Sequence, residues 1–292
     1  MLTQEERFLT GLSALEELTQ HDGKPRDFSE KLEKFLERST PQANPFTSVP
    51  PAPDGIYLPT LQELISKHGP FSPGCAILGV CEDGLPILLD LNQPTSGALV
   101  VSGDPHTGKT RLLRSILASA GLMNSPFELQ AWVYASQPEE YRHLVDSTLA
   151  PQVIQRRPQA IHQCIDQLLD LANQRLLDKR GGPTILFIVD DLADFICQLD
   201  DESYWAFEWI ARIGPQLRLW TIAALSTKTL DWVDDEALGC FPTRALLDVA
   251  SPLHLQRLAG EAHPHLPALA RGFQFCLPYQ DHWMPVWMCD PG

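Results

Sequence analysis

Residues 97–122 read GALVVSGDPHTGKTRLLRSILASAGL: an apolar strand, a glycine-bounded loop and a helix in unbroken succession. Within them GDPHTGKT, 103–110, fits G-x-x-x-x-G-K-[ST] without a mismatch. Such a loop needs a strand to deliver it and a helix to receive it, and both are present. Gly103 and Gly108 allow backbone shapes and a close approach that a side chain would block. The loop amides and the positive helix end then converge on phosphate oxygens. Gly103, Asp104, Pro105, His106, Thr107, Gly108, Lys109, Thr110 and Arg111 are the candidate nucleotide-binding residues. Lys109 supplies a cation to the β- and γ-phosphates, and Thr110 a hydroxyl to Mg²⁺. Asp104 would repel a phosphate, so it is expected to point outward. His106 is expected to be a solvated loop histidine.

The text around the loop alternates strand-length apolar runs with helix-length amphipathic segments. CAILGVC (75–81) and LPILLDL (85–91) flank a turn carrying Asp83 and Gly84, which predicts a hairpin. LQAWVYA (129–135), TILFIVDD (184–191), LWTIAAL (219–225) and TRALLDVA (243–250) read as further strands. Helices are expected over about 108–122, 158–179, 192–214 and 251–259, and GFQFCLP (272–278) with WMPVWMC (283–289) as a closing strand pair. Strands apolar throughout their length predict an α/β fold, a mostly parallel sheet with helices on both faces. Residues 1–40 read as a helical extension and the proline-rich stretch 41–55 as a linker, leaving 56–292 as the main domain.

ILFIVDD (185–191) is a buried strand ending in two acids. Asp190 stands where such a strand delivers a carboxylate to the Mg²⁺ of a bound nucleotide. Asp191 follows, in a place that usually holds Glu in ATPases that split water. A general base must reach its water at roughly 2.6–3.2 Å. Aspartate is shorter by one C–C bond, about 1.5 Å, and misplacement of that size costs on the order of a hundredfold in rate. Asp191 and Lys109 are therefore the candidate catalytic residues, with slow hydrolysis, or action through a second water, as the expectation. Arg244 begins a strand and is a candidate for reaching a neighbouring subunit's nucleotide; the plainer reading is a surface ion pair. Arg156–Arg157 and Lys179–Arg180 are the only basic doublets, and such doublets usually mark solvated loops.

There are 37 acids against 22 bases, a net charge of −15, which disfavours bare DNA as a partner of the whole surface. No stretch approaches the roughly 18 unbroken apolar residues of a membrane span, so no membrane insertion is expected. The start, MLTQEERFLTGL, has acids where a signal peptide would need bases. Seven scattered cysteines without CxxC fit a reduced, cytoplasmic setting. The acid clusters 200–202 and 234–236 read as helix starts.

LGVCEDGLPILLDLNQPTSGALVVSGDPHTGKT (78–110), VDDLADF (189–195) and FPTRALLDVASPLHLQRLAG (241–260) together resemble the FtsK/SpoIIIE family of P-loop motors, within the FtsK–HerA group. The resemblance covers about residues 72–290. It implies a RecA-like P-loop NTPase core working as a ring of itself or of related ATPase subunits, usually a hexamer, with ATP and Mg²⁺ between subunits. It also implies a motor that pulls duplex DNA, or in the secretion branch a protein, through that ring. Asp191 departs from the family's Glu. Ser226 stands where the family's sensor is Gln, WVYASQPEE replaces an Asp-Pro-Lys type of strand end, and Asp248 replaces an Arg. The family's membrane anchor and winged-helix module are not matched. Two readings stay open: a motor-type ATPase coupling turnover to DNA or protein translocation, and a degenerate nucleotide-binding regulatory or scaffold protein with little hydrolysis.

Overall fold

Strands apolar on both sides must be covered on both sides, and the covering helices decide where the sheet's open edge lies. The structure, a computed structural model, describes residues 58–141, 144, 149–178, 182–259, 266–279 and 282–290. The extension expected over 1–40 and the linker over 41–55 lie outside the described residues.

Helix α1 (Leu61–His68) opens the described chain, its start fixed by a reciprocal capping box between Thr60 and Glu63. The predicted hairpin follows as β1 (Cys75–Val80) and β2 (Pro86–Asp90), antiparallel, with Gly84 at φ +83° in its turn. Then come β3 (Leu99–Gly103), α2 (Lys109–Met123), β4 (Leu129–Ala135), β5 (Gln152–Ile154) and α3 (Pro158–Asp178). The second half runs β6 (Thr184–Asp190), α4 (Leu192–Ile196), α5 (Asp201–Ile213), β7 (Leu219–Ser226), α6 (Asp235–Gly239), β8 (Thr243–Leu246) and α7 (Pro252–Ala259). The closing pair is β9 (Gln274–Tyr279) and β10 (His282–Trp287).

All ten strands form one sheet in the order β2-β1-β10-β9-β8-β3-β7-β6-β4-β5. The six from β8 to β5 are parallel, and the other four extend the sheet antiparallel. Side chains alternate between faces at period two, so each central strand feeds two cores. Ile185, Phe187 and Val189 of β6 pack with Ile161, Ile165 and Leu168 of α3 and Phe207 and Ile210 of α5. Leu186 and Ile188 pack on the other face with Leu112, Leu113 and Ile116 of α2. The hairpin is tied to α2 by polar contacts: Ser119 Oγ accepts from Ile77 N at 2.9 Å, and Asn124 Nδ2 donates to Cys75 O at 2.9 Å.

Register places the functional ends together. Gly103 pairs with Ser226, Asp190 with Ala224, and Ala135 with Asp190, so β3, β7, β6 and β4 finish side by side. Open α/β sheets bind ligands at this carboxyl edge. The strand read over 243–250 ends at Leu246, because the chain beyond leaves the ladder to wrap the glycine loop: Asp248 O accepts from Asp104 N at 2.9 Å. β5 has three residues, too few for a periodic signal. Asp200 and Asp234 do cap helix starts, accepting from Ser203 N and Ala237 N. Among the described residues, no helix is long and apolar enough to cross a membrane.

Candidate nucleotide-binding site

The glycine loop joins β3 to α2. Gly108 sits at φ +101° as the residue before α2, and a Cβ there would meet Gly272 Cα and O at 3.3 Å. A Cβ on Gly103 would lie 2.8 Å from Leu247 Cβ and 2.9 Å from Thr107 Oγ1. Both glycines are thus required by close approach, and Gly108 also by its left-handed backbone. No side chain caps the start of α2, so its first amides face the loop's concave side. His106 is exposed, as expected, at φ +60°.

Lys109 folds across that concavity. Its Nζ donates to Gly103 O at 3.0 Å and Asp104 O at 2.7 Å. Burial pushes its pKa down to about 8, against the pull of Asp190, Asp104 and Asp191. Thr110 Oγ1 donates to Asp190 Oδ1 at 3.1 Å. Asp190 Oδ2 accepts from Tyr141 Oη at 3.0 Å. Burial raises the Asp190 pKa to about 6, although both hydroxyls oppose the shift. A hydroxyl and a carboxylate held together beneath a phosphate loop suit a hard cation that prefers oxygen, which is the chemistry of Mg²⁺.

Asp191 adopts φ +113°, rare for a residue with a Cβ. Its Oδ1 caps α4, accepting from Asp194 N at 3.0 Å. Burial again raises its pKa to about 6, helped by the Asp194 charge and opposed by Arg156 and Lys109. Asp194 is itself 2% exposed and collects donors: Arg156 through two nitrogens, Tyr134 Oη, Ser136 Oγ and Gln198 Nε2. Arg156 does lie on an exposed bend, its side chain 46% exposed, yet its guanidinium also has a fixed partner. A buried carboxylate holds it, and nothing in the local sequence signals that partner 38 residues away.

A raised folded-state pKa has a definite sign. Between about pH 4 and pH 6 the folded chain keeps a proton on Asp191 that the unfolded chain releases, so stability falls as pH rises through that window. Asp191→Asn keeps the cap and tolerates the left-handed backbone. It is expected to raise the thermal midpoint at pH 7.5 by several degrees, each kcal/mol being worth roughly 2–4 °C at this size. That gain should vanish below about pH 4. Melting curves at both pH values check it, and an unchanged midpoint at pH 7.5 refutes it.

Asp104 does point away from the loop's mouth. Its Oδ1 accepts from Thr227 Oγ1 at 2.5 Å and its Oδ2 from Ala250 N at 2.9 Å, tying the loop to the ends of β7 and β8. Ser226 pairs with Gly103 through the backbone, but its hydroxyl caps its own following turn, accepting from Lys228 N at 3.4 Å, and Thr227 next to it makes the side-chain bond to the loop. Arg244 donates to the carbonyls of Arg257 and Leu258 at the end of α7 rather than to a surface carboxylate. Arg271 lies at the loop instead, donating to Pro105 O at 3.0 Å, with Asp248 3.9 Å away. Arg111 stacks over Phe273 at 5.1 Å and donates to Gly272 O. The loop 105–108 and the segment 271–273 therefore form one wall. Arg271 is, with Arg212, Arg218 and Arg257, a weaker candidate from the sequence for the role considered for Arg244, whereas Thr227 and Tyr141 carried no motif that spacing could reveal.

No family model matches the sequence, and no curated protein matches it in a sequence search. Solved structures match by shape. One, an ATPase, superposes with a TM-score of 0.62 at 16% identity over 79% of this chain and 93% of its own. EccC of Thermomonospora curvata (ATPases 2 and 3), in complex with a signal sequence peptide, gives 0.62 at 15% over 80% of this chain and 43% of its own. The pCW3 conjugation coupling protein TcpA, monomer form with ATPγS, gives 0.60 at 16% over 81% and 70%. The chain spans less than half the length of the EccC structure and of a similar two-ATPase structure of EssC from Geobacillus thermodenitrificans. The fold is the one these ATPase structures share, reached at low identity.

Proposed function

We propose that this chain, built on a P-loop ATPase fold, binds MgATP at the loop 103–110 and hydrolyses it slowly as a motor-type module. The observation that carries the reading is the Thr110–Asp190 hydrogen bond of 3.1 Å, made across 80 residues beneath the glycine loop. The loop amides and Lys109 take the phosphates, and Thr110 and Asp190 hold the metal. Magnesium, when bound, neutralises phosphate charge. Asp191 accepts the proton of the water whose oxygen attacks the γ-phosphorus, as the bond to the bridging oxygen of ADP breaks. TcpA with ATPγS supports nucleotide use on this fold.

Work would pass to a polymer through a ring of this or related subunits. A polypeptide suits the net charge of −15 better than DNA does. One observation favours the second reading, a nucleotide-binding regulatory or scaffold protein. The Asp191 carboxylate, already short, uses Oδ1 to cap α4. Steady-state turnover of the wild type and of Asp191→Glu, with and without duplex DNA, separates the two. A slow basal rate that rises about tenfold or more in Asp191→Glu supports the motor geometry. Tight binding with no turnover in either protein overturns hydrolysis and leaves the scaffold reading.

A further inference from the structure

The segment after β4 carries no family-like motif, yet it returns to the metal side of the site. β4 and β6 are parallel neighbours with Ala135 opposite Asp190, so the two chains leave the sheet side by side. The β4 exit makes a 3-10 turn, Pro138–Tyr141, which sends Tyr141 back underneath. Its ring is fully buried, and its hydroxyl donates to Asp190 Oδ2 at 3.0 Å while Thr110 donates to Oδ1. We infer that Tyr141 is a positioning residue for the metal: it clamps one oxygen of Asp190 so that the other faces Thr110. This rests on the MgATP reading.

The chemistry of the donor matters. A lysine or arginine in this place would neutralise Asp190 and weaken any cation site there. A phenol fixes the carboxylate without adding charge. Without it, Asp190 Oδ2 would be a buried acceptor lacking this partner, and the carboxylate would be free to turn from Thr110.

The test is Tyr141→Phe, which keeps the ring and removes only the hydroxyl. ATPγS binding is titrated in full-length protein with Mg²⁺ varied, and again in EDTA, with melting curves as the check on folding. The Mg²⁺ concentration at half-saturation is expected to rise about tenfold, while metal-free affinity stays unchanged. In an Asp190→Asn background the same substitution should add nothing to the Mg²⁺ dependence. Half-saturation within twofold of wild type overturns the inference, as does an equal loss of affinity in EDTA, which marks a purely structural tyrosine. Failure of the wild type to bind ATPγS at all overturns the MgATP reading beneath it, a distinct result.

Discussion

Lys109→Ala should lower MgATP affinity by at least about a hundredfold while leaving the fold intact. The ammonium spans the loop's concave side, hydrogen-bonded to Gly103 O and Asp104 O. Asp190, Asp104 and Asp191 all lie close enough to act on it electrostatically. Removing it leaves the Asp190 and Asp191 charges near an incoming polyphosphate without the ammonium that offsets them. A partly buried charge-assisted contact is worth about 1.5–3 kcal/mol, and the unrelieved repulsion adds to that loss. Lys109→Arg should not restore binding, since a planar fork cannot replace a compact ammonium inside a closed loop. The lowered pKa adds a pH signature. Above about pH 8 the free amine is neutral and must take up a proton to bind, so wild-type affinity should fall between pH 7 and pH 9. Calorimetric titration reads both effects, and affinity of Lys109→Ala within threefold of wild type would sink the nucleotide assignment.

The second large effect concerns stability rather than binding. Arg156→Met leaves the Asp194 carboxylate buried without its cation. Breaking a fully buried pair from one side costs about 3–5 kcal/mol, but the Arg156 side chain is 46% exposed, so water already screens part of this one. Tyr134, Ser136 and Gln198 still donate to Asp194, so a loss of about 1–2 kcal/mol is expected. Asp194→Ala should cost more, because it strands three polar side chains and Arg156 at once. Arg156→Lys should recover little, having one point charge where two guanidinium nitrogens now bind. The same cluster anchors α4, whose first turn Asp191 caps, so a loss of turnover is expected alongside the loss of stability. Urea unfolding measures the first. A change below about 0.5 kcal/mol in Arg156→Met would show that the guanidinium does not help hold Asp194.

Much of the sheet could be read in advance because its strands are buried on both sides and therefore apolar throughout. β1, β3, β4, β6 and β7 stand out against the amphipathic helices between them. β5 could not be read, since three residues leave no period. The loop 103–110 and the pair Asp190–Asp191 were legible for another reason: phosphate and metal chemistry restrict both residue type and spacing. Asp104 was legible in direction only. Its outward turn was expected, but not the anchors Thr227 and Ala250. Ser226 and Arg244 illustrate the limit. Arg244 lies on the strand read for it and Ser226 closes β7 one residue past the strand read over 219–225, while the bonds of each side chain were not legible: a local turn for Ser226, the end of α7 for Arg244.

What the amino-acid order determined alone is the local material: where most strands and helices lie, and a glycine loop whose conformation follows from the residues inside it. Only tertiary structure decided which distant groups meet. Thr110 touches Asp190 across 80 positions, Tyr141 reaches Asp190 across 49, and Arg156 finds Asp194 across 38. The physical reason is that buried polar groups must find partners, and no short-range pattern encodes which partner that is. The order of parallel strands sets it, by bringing the ends of β3, β7, β6 and β4 to one edge.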